Sequence, residues 1–317
     1  MSDASQVHSE SFWTNEFEEL QEASADWDQE YSRMAPGPFE GRIDLTRVGS
    51  RQIFRERWNR KFAYRGTTPS DSFAVALPVH QSAPMNWVGA RTCEDTVIVQ
   101  APGQEADLVS PEELDLIILA VPEEEYHRLV SAMSSREERD DPSHSFVSLA
   151  PNVAASLRRE SLEFLCYSRE AQPKDLDQIA IFSEQLVKRF IWEVETAKGE
   201  QDVASCTNGY SEIVKKATGL VMSQPNDSIG LTEICNQLDL SLRTLHYAFE
   251  DVTGMSPATW LRRHRLNNVH KTLIKASPDE TLVKSVAIDN GFVHLGHFAK
   301  QYQRLFGCTP SQTLQAS

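Results

Sequence analysis

Residues 231–257 read LTEICNQLDLSLRTLHYAFEDVTGMSP, and this stretch decides the architecture of the C-terminal part of the chain. Leu231, Ile234, Cys235 and Leu238 recur at three- and four-residue steps and so define one apolar helical face. Asp239 and Leu240 make a short turn. Ser241 is suited to cap a second helix, because its hydroxyl can accept from a free backbone N–H. That helix is expected to bury Leu245, Ala248, Phe249 and Val252 and to end at Gly254, where glycine tolerates left-handed backbone. Helix, tight turn and capped helix together make a helix-turn-helix unit. Opposite Leu245 and Phe249 stand Arg243 and Tyr247, with Thr244 and His246 beside them. Arginine can pair with guanine N7 and O6, and the others can give single hydrogen bonds or touch a thymine methyl. Ser241, Arg243, Thr244, His246 and Tyr247 are therefore candidate DNA contacts, placed in the turns of a recognition helix that enter the groove deepest.

Outward from this stretch, the pattern comes a second time. Residues 281–310 read TLVKSVAIDNGFVHLGHFAKQYQRLFGCTP. Leu282, Val283, Val286, Ala287 and Ile288 supply a first helix, and Asn290, Gly291 and Phe292 turn the chain. A second helix over residues 295–306 buries Leu295, Phe298, Tyr302 and Leu305, is capped by Gly307, and cannot continue past Pro310. Its other face offers Gly296, His297, Lys300 and Arg304 to DNA. Between the units, SPATWLRRHRLNNVHKTLI can form one long helix with Trp260, Leu261, Leu266, Val269, Leu273 and Ile274 inward. Residues 255–276 hold five Lys or Arg and no acid. Such a rod would let the two recognition helices meet successive major grooves about 34 Å apart.

The charge is split along the chain. The whole carries −15, yet residues 209–317 hold eleven basic and nine acidic residues, a net of +2, which leaves −17 on the remainder. Such asymmetry assigns different partners to the two parts. A chain of 317 residues exceeds one ordinary core. The expected division is a β-rich effector or dimerisation domain over 1–170, a helical connector and linker over 171–208, and a DNA-binding domain over 209–317 with helix-turn-helix units at about 231–252 and 281–306. Short β-branched and aromatic runs at 43–48, 52–57, 73–79, 96–100 and 114–121, separated by turn residues, predict a small cupin-like barrel. The fold class is thus α+β, with an all-α C-terminal domain. Residues 11–33 are read as a helix with spaced aromatics, and Pro122 as the start of another. Residues 134–144 are a charged loop and 198–209 a linker. Leu176, Ile179, Ile181, Phe182, Leu186, Val187, Phe190 and Ile191 predict a helix over 173–197 that serves either as a dimer seam or as core. Trp58, Tyr64 and Trp87 are candidate walls of a ligand pocket, since aromatics dominate such walls, although core packing explains each as well.

At this point the sequence resembles the AraC/XylS transcription regulators. The likeness is carried by SLRTLHYAF, GMSP, Arg265-Leu266, GFVHLGHFAKQYQRLFG and CTP, in this order over about 90 residues. Within the family it is nearest to the ethanolamine-operon branch, through ICNQLDLSLRTLHYAF and WLRRHRLNNV. A weaker likeness runs upstream, through Phe39-Glu40-Gly41, Ile53-Phe54-Arg55-Glu56 and Pro102-Gly103-Gln104-Glu105. The resemblance implies double-stranded promoter DNA and RNA polymerase as partners, a small-molecule effector, activation of a catabolic operon, and a homodimer. Its nearest branch implies ethanolamine and adenosylcobalamin as effectors. In relatives, Arg265 holds a buried or bridging place, and polar residues usually stand where Leu295, Gly296 and Ala299 are found. Lys300 and Arg304 are then expected to grip phosphates rather than read bases.

Other classes find less support. Net acidity argues against indiscriminate binding to nucleic acid or anionic membrane. No run approaches the roughly 18 apolar residues of a membrane helix, and the first residues lack a signal peptide's basic and apolar regions, so a cytoplasmic location is expected. Five scattered cysteines with no CxxC offer no zinc site, and His80, His127 and His144 lie too far apart in sequence for a cupin-type metal site. No P-loop, HExxH or GxSxG pattern occurs, so no catalytic residue or metal is assigned. Two rivals stand beside a regulator: a repair enzyme with an alkyl-accepting Cys93 or Cys166, and a partner-binding module with silent helix-turn-helix units.

Overall fold

The computed structural model describes residues 7–23, 27–87, 90–133, 145–200, 209–223, 229–279 and 281–316. The chain falls into two compact units. One is formed by Met1–Glu30, Phe39–Asn59 and Tyr64–Ser205, the other by Tyr31–Pro38, Arg60–Ala63 and Cys206–Ser317.

In chain order the elements begin with β1 (Val7–Thr14) and α1 (Phe17–Ala23), followed by β2 (Asp28–Arg33), β3 (Gly41–Val48), β4 (Arg51–Trp58), β5 (Phe62–Thr67) and β6 (Ser72–Gln81), of which the end of β2 and the start of β5 fall in the second unit. Next come β7 (Met85–Trp87), β8 (Ala90–Thr92), β9 (Thr96–Gln100), β10 (Glu105–Val109), β11 (Leu114–Pro122), α2 (Glu123–Met133), β12 (Ser145–Ser148), α3 (Pro151–Glu170) and α4 (Leu176–Glu200). Two sheets result, one in the order β1-β3-β4-β11-β6-β9-β12 and one in the order β2-β5-β10-β7-β8. Strand β11 lies between β4 and β6 and is buried on both faces, which is why it reads as the continuous apolar run LIILAV. One face of the larger sheet, through Val48, Ile53, Val75, Leu77, Ile117 and Leu119, packs on Leu157 and Phe164 of α3 and on Ile179, Leu186, Phe190 and Ile191 of α4. The apolar stripe of α4 is therefore core. Ile181 and Trp192 on the same helix remain exposed.

The five expected strands are β3, β4, β6, β9 and β11. The helix expected over 11–33 is not formed. Its place is taken by β1, the short α1 and β2. Residues Val7 to Thr14 pair with β3 along their whole length, and that ladder overrides local propensity in a polar edge strand. Pro122 closes β11 instead of opening a helix, and α2 begins one residue later with Glu123, Glu124 and Glu125 in its first turn. The charged segment 134–144 lies outside the described residues, as do 201–208 of the expected linker; Lys198 still belongs to α4.

The second unit contains α5 (Gly209–Met222), α6 (Leu231–Gln237), α7 (Leu242–Thr253), α8 (Pro257–Ile274), α9 (Val283–Asp289), α10 (Leu295–Phe306) and α11 (Pro310–Ala316). It has two cores. Trp260 and Leu261 of α8 join Val214, Ile234, Leu245, Ala248 and Phe249 in the first. Leu266, Val269 and Leu273 join Phe298, Tyr302 and Leu305 in the second. Ile274 sits at 36% exposure rather than inward, and the buried positions between the two apolar clusters include His264, Asn267 and His270. Each is a polar residue that apolar periodicity passes over.

Residues 31–38 and 60–63 are an addition to this unit that linear order does not suggest. Met34 is fully buried in the first core. The Asn267 side chain accepts from the Arg33 N–H at 2.7 Å and donates to the Arg33 carbonyl at 2.9 Å, and Arg263 donates to the Met34 carbonyl. Asn267→Ala strips a buried backbone donor and acceptor of their partner, each worth about 1–3 kcal/mol when orphaned. Urea unfolding is expected to show the midpoint lowered accordingly, with little change in slope.

Candidate nucleic-acid interface

Both helix-turn-helix units take their geometry from their turns. In the first, Leu238 ends α6 and Asp239 adopts φ 51°, which reverses the chain within two residues. Ser241 then caps α7, its Oγ accepting from the Thr244 N–H at 3.0 Å, and the Ser241 and Thr244 hydroxyls lie 2.8 Å apart. Gly254 terminates α7 at φ 64°. Leu245, Ala248 and Phe249 face the core as expected, while Thr253, whose hydroxyl bonds the Phe249 carbonyl at 2.6 Å, is buried beside them. In the second unit, Asn290 ends α9, Gly291 turns at φ 79°, and Gly307 ends α10 at φ 83°.

The outward side of α7 presents Arg243 and Tyr247, both exposed, with Thr244 and His246 half-buried. Arg243 donates to the Tyr247 hydroxyl at 3.0 Å, and its guanidinium carbon lies 5.4 Å from the ring centroid. An i, i+4 pair of this kind orders a long side chain before any ligand arrives. On α10, Gly296, His297, Lys300 and Arg304 are exposed, and no described atom lies near a Cβ built at Gly296. Leu295 and Ala299 are partly buried against the second core. His294 and His297 are exposed, with 6.4 Å between their ring centroids.

The electrostatics of the two units differ. Most arginines of the first unit stand within 4.0 Å of a carboxylate, as in Arg51–Glu125, Arg55–Asp115 and Arg158–Asp95. Among the described residues of the second unit, Lys216–Glu212 is such a pair, whereas Arg243, Lys300 and Arg304 have no carboxylate in that range. Cations without internal partners are available for phosphates.

The half-buried Arg265 and the buried pair His270 and Tyr302 brace the units. Arg265 donates to the Ile229 carbonyl at 2.9 Å ahead of α6, and its guanidinium is 3.3 Å from a Cβ built at Gly291, in the turn of the second unit. It therefore touches both units, as the resemblance implies. His270 Nδ1 and the Tyr302 hydroxyl are 2.5 Å apart, and Tyr302 donates to Thr313 at 2.9 Å. The resulting chain ties α8, α10 and α11 together. Cys235 is packed in the first core, where burial pushes its thiol above the usual range and makes it unreactive.

In the first unit a cleft of about 360 Å³ is lined by Trp13, Arg42, Arg57, Trp58, His80 and Asp115, among others. Of the three aromatic residues expected to wall a pocket, Trp58 borders this cleft. Trp87 is buried in β7 and Tyr64 is half-buried in β5, and neither lines it. Arg42 and Arg57 were not anticipated, because the signal lies in strand register and not in local sequence. Among the described residues no group of three His, Cys, Asp or Glu could hold a metal ion, and no helix is long and apolar enough to cross a membrane.

Residues 234–316 match the family described as a helix-turn-helix domain. Over 87 residues the chain is 37% identical to the XylDLEGF operon transcriptional activator 2 of Pseudomonas putida, an alignment covering 27% of this chain and 55% of that protein. It is 32% identical over 85 residues to the transcriptional regulator ExsA of Pseudomonas aeruginosa, covering 27% of this chain and 30% of that one. The chain thus spans about half, or less, of the length of these curated relatives. Among solved structures, a probable AraC family transcriptional regulator from Rhodopseudomonas palustris is 30% identical, with 33% of this chain and 96% of that chain covered and a TM-score of 0.31.

Ser241→Ala removes the cap of α7 and is expected to cost about 1 kcal/mol, read as a lowered midpoint in thermal unfolding followed by circular dichroism. Ser241→Asp, which restores an acceptor at the cap, is expected to recover most of the loss.

Proposed function

We propose, from the helix-turn-helix domain at residues 234–316, that this chain is a sequence-specific DNA-binding transcription regulator of AraC/XylS type. One observation carries the reading. Two helix-turn-helix units share one rod, α8, and each displays cations on its second helix that no described carboxylate neutralises. Arg243 is the base-reading group, held by Tyr247, with Thr244 and His246 beside it. The Ser241 hydroxyl already serves the helix cap, so its contribution is to present the N-terminus of α7 to a phosphate. On α10, Gly296 permits close approach, while Lys300, Arg304 and His297 hold the backbone. Sequence preference then rests on α7 more than on α10.

The finer reading has three parts. The protein is ligand-responsive, with the first unit as sensor. It activates transcription, as the Pseudomonas putida relative is named to do, and by the AraC/XylS resemblance it does so through RNA polymerase. It serves a catabolic operon, of ethanolamine type on the strength of the fragments quoted above. A homodimer and a cytoplasmic location accord with this role. Adenosylcobalamin does not fit the cleft, whose volume of about 360 Å³ is near the lower bound, roughly 300 Å³, of ordinary small-ligand sites.

Two substitutions test the groove assignment on a promoter fragment selected from genomic DNA by the full-length protein. Arg243→Ala is expected to lose about 1–3 kcal/mol of discrimination at one base pair. Lys300→Ala is expected to weaken all sequences alike and to lower the slope of log K against log salt by about one unit. Unchanged binding in both variants would remove α7 and α10 from the grooves.

A further inference from the structure

Strand register places five side chains in one row across the larger sheet. Trp13 is opposite Arg42, Arg42 opposite Arg57, Arg57 opposite Asp115, and Asp115 opposite His80. Directly opposed residues project from the same face, so the row is continuous. It lies on the face that α3 and α4 cover further along, since Val48, Ile53 and Ile117, at even steps along the same strands, are in their core. At the row the ladder between β11 and β6 slips between Asp115 and Leu116, opposite His80 and Pro78. Such an irregularity bends a strand and re-aims its side chains, and it is over-represented beside functional sites. The cleft described above opens on this row.

Its charges are shared unevenly. The next row adds Arg55 and Asp44, and Arg169 reaches Asp44 at 3.8 Å from α3 and Glu170 at 3.9 Å. Four guanidinium groups thus stand around Asp44 and Asp115, with Glu40 and Glu113 at the rim of the cleft. Asp115 is taken by Arg55, with two hydrogen bonds of 2.7 and 2.5 Å. Asp44 accepts from Arg42 at 3.0 and 2.7 Å and from Ser11 at 2.6 Å. Burial alone would raise the pKa of Asp44, but the hydrogen bonds from Arg42 and Ser11 outweigh it and hold the group below the usual carboxylate range. Arg57 is left with the weakest share. It comes only within 3.6 Å of Asp44, and its Nε is buried with no hydrogen-bond partner. Burial first, and then the charge of Arg55, pull its pKa down. A buried guanidinium N–H without an acceptor costs free energy that an incoming oxyanion would offset. Beside it Trp13, 58% exposed on the edge strand, offers a large apolar wall with nothing packed over most of its surface.

We propose that this cleft is a binding site for a small organic carboxylate, whose oxyanion is received by Arg57 and Arg42 and whose apolar body lies against Trp13. Guanidinium matches a carboxylate in planar, two-pronged geometry and repels an ammonium group, so this site favours a carboxylate over ethanolamine, and the ethanolamine-type reading of the operon does not carry over to its ligand. Glu40 and Glu113 at the margin disfavour multiply charged anions. The site gives chemical content to the sensor role of the first unit and rests on that reading only for the step from occupancy to DNA.

The test titrates the full-length protein, without DNA, with phenylacetate, succinate, inorganic phosphate and ethanolamine, and reads tryptophan fluorescence and thermal midpoint. Phenylacetate is expected to give a saturable response in both, well ahead of succinate and phosphate, with none from ethanolamine. Arg57→Gln is expected to weaken phenylacetate about tenfold or more. Trp13→Ala, on an exposed edge position that tolerates truncation, is expected to reduce the fluorescence response and weaken the midpoint shift. Four results would overturn the proposal: no saturable response to phenylacetate, equal response in Arg57→Gln and the parent, preference for ethanolamine, or preference for phosphate, which would mark a phosphoryl site instead. Promoter binding measured separately keeps these outcomes distinct from a failure of the helix-turn-helix assignment.

Discussion

The second unit depends on one helix serving two cores at once. α8 runs for 18 residues, about 27 Å at the rise of an α-helix. Its first half lends Trp260 and Leu261 to one helix-turn-helix unit, and its second half lends Leu266, Val269 and Leu273 to the other. A helix of this length bends little, so the separation and relative rotation of α7 and α10 are fixed by where along α8 each core attaches. Arg265, which reaches Ile229 on one side and Gly291 on the other, locks the junction. The Phe249–Trp260 edge contact, at 5.8 Å between centroids, and the His270–Tyr302–Thr313 chain fix each recognition helix against the rod. The distance between α7 and α10 is thus preset, as with a ruler rather than two tethered hands.

Charge is used differently in the two units. In the first, basic and acidic side chains are interleaved on sheet and helix surfaces and satisfy one another, so a large negative excess is carried without strong local fields, apart from the arginine row at the cleft. In the second, basic side chains are either used structurally, like Arg263 and Arg265, or left for an external partner, like Arg243, Lys300 and Arg304. A net acidic protein can therefore engage polyanions with one portion only, which restricts where on its surface such contact can form.

Much of this was legible in the sequence where local rules decide. Both turns, the Ser241 cap, the glycines ending α7 and α10 and the apolar faces of both recognition helices follow from spacing and residue type. So do the runs that became β3, β4, β6, β9 and β11. What stayed hidden is set by partners distant in sequence. β1 is polar and aromatic in a way that suits a helix, and only its ladder with β3 makes it a strand. The arginine row exists only once four strand pairings bring residues 13, 42, 57, 80 and 115 together. His264, Asn267 and His270 interrupt an apolar pattern, and a pattern search treats them as surface.

The place of Tyr31–Pro38 within the second unit has a consequence for how the chain comes to be folded during synthesis. Arg33 precedes its hydrogen-bond partner Asn267 by 234 positions. It leaves the ribosome long before α8 has been made, and Met34 must wait as an unsheltered apolar side chain for most of translation. Closing so long a loop is slow, and it comes late by necessity. The first helix-turn-helix core is thus completed by a segment made long before it, so a half-made polypeptide lacks that core's finished packing.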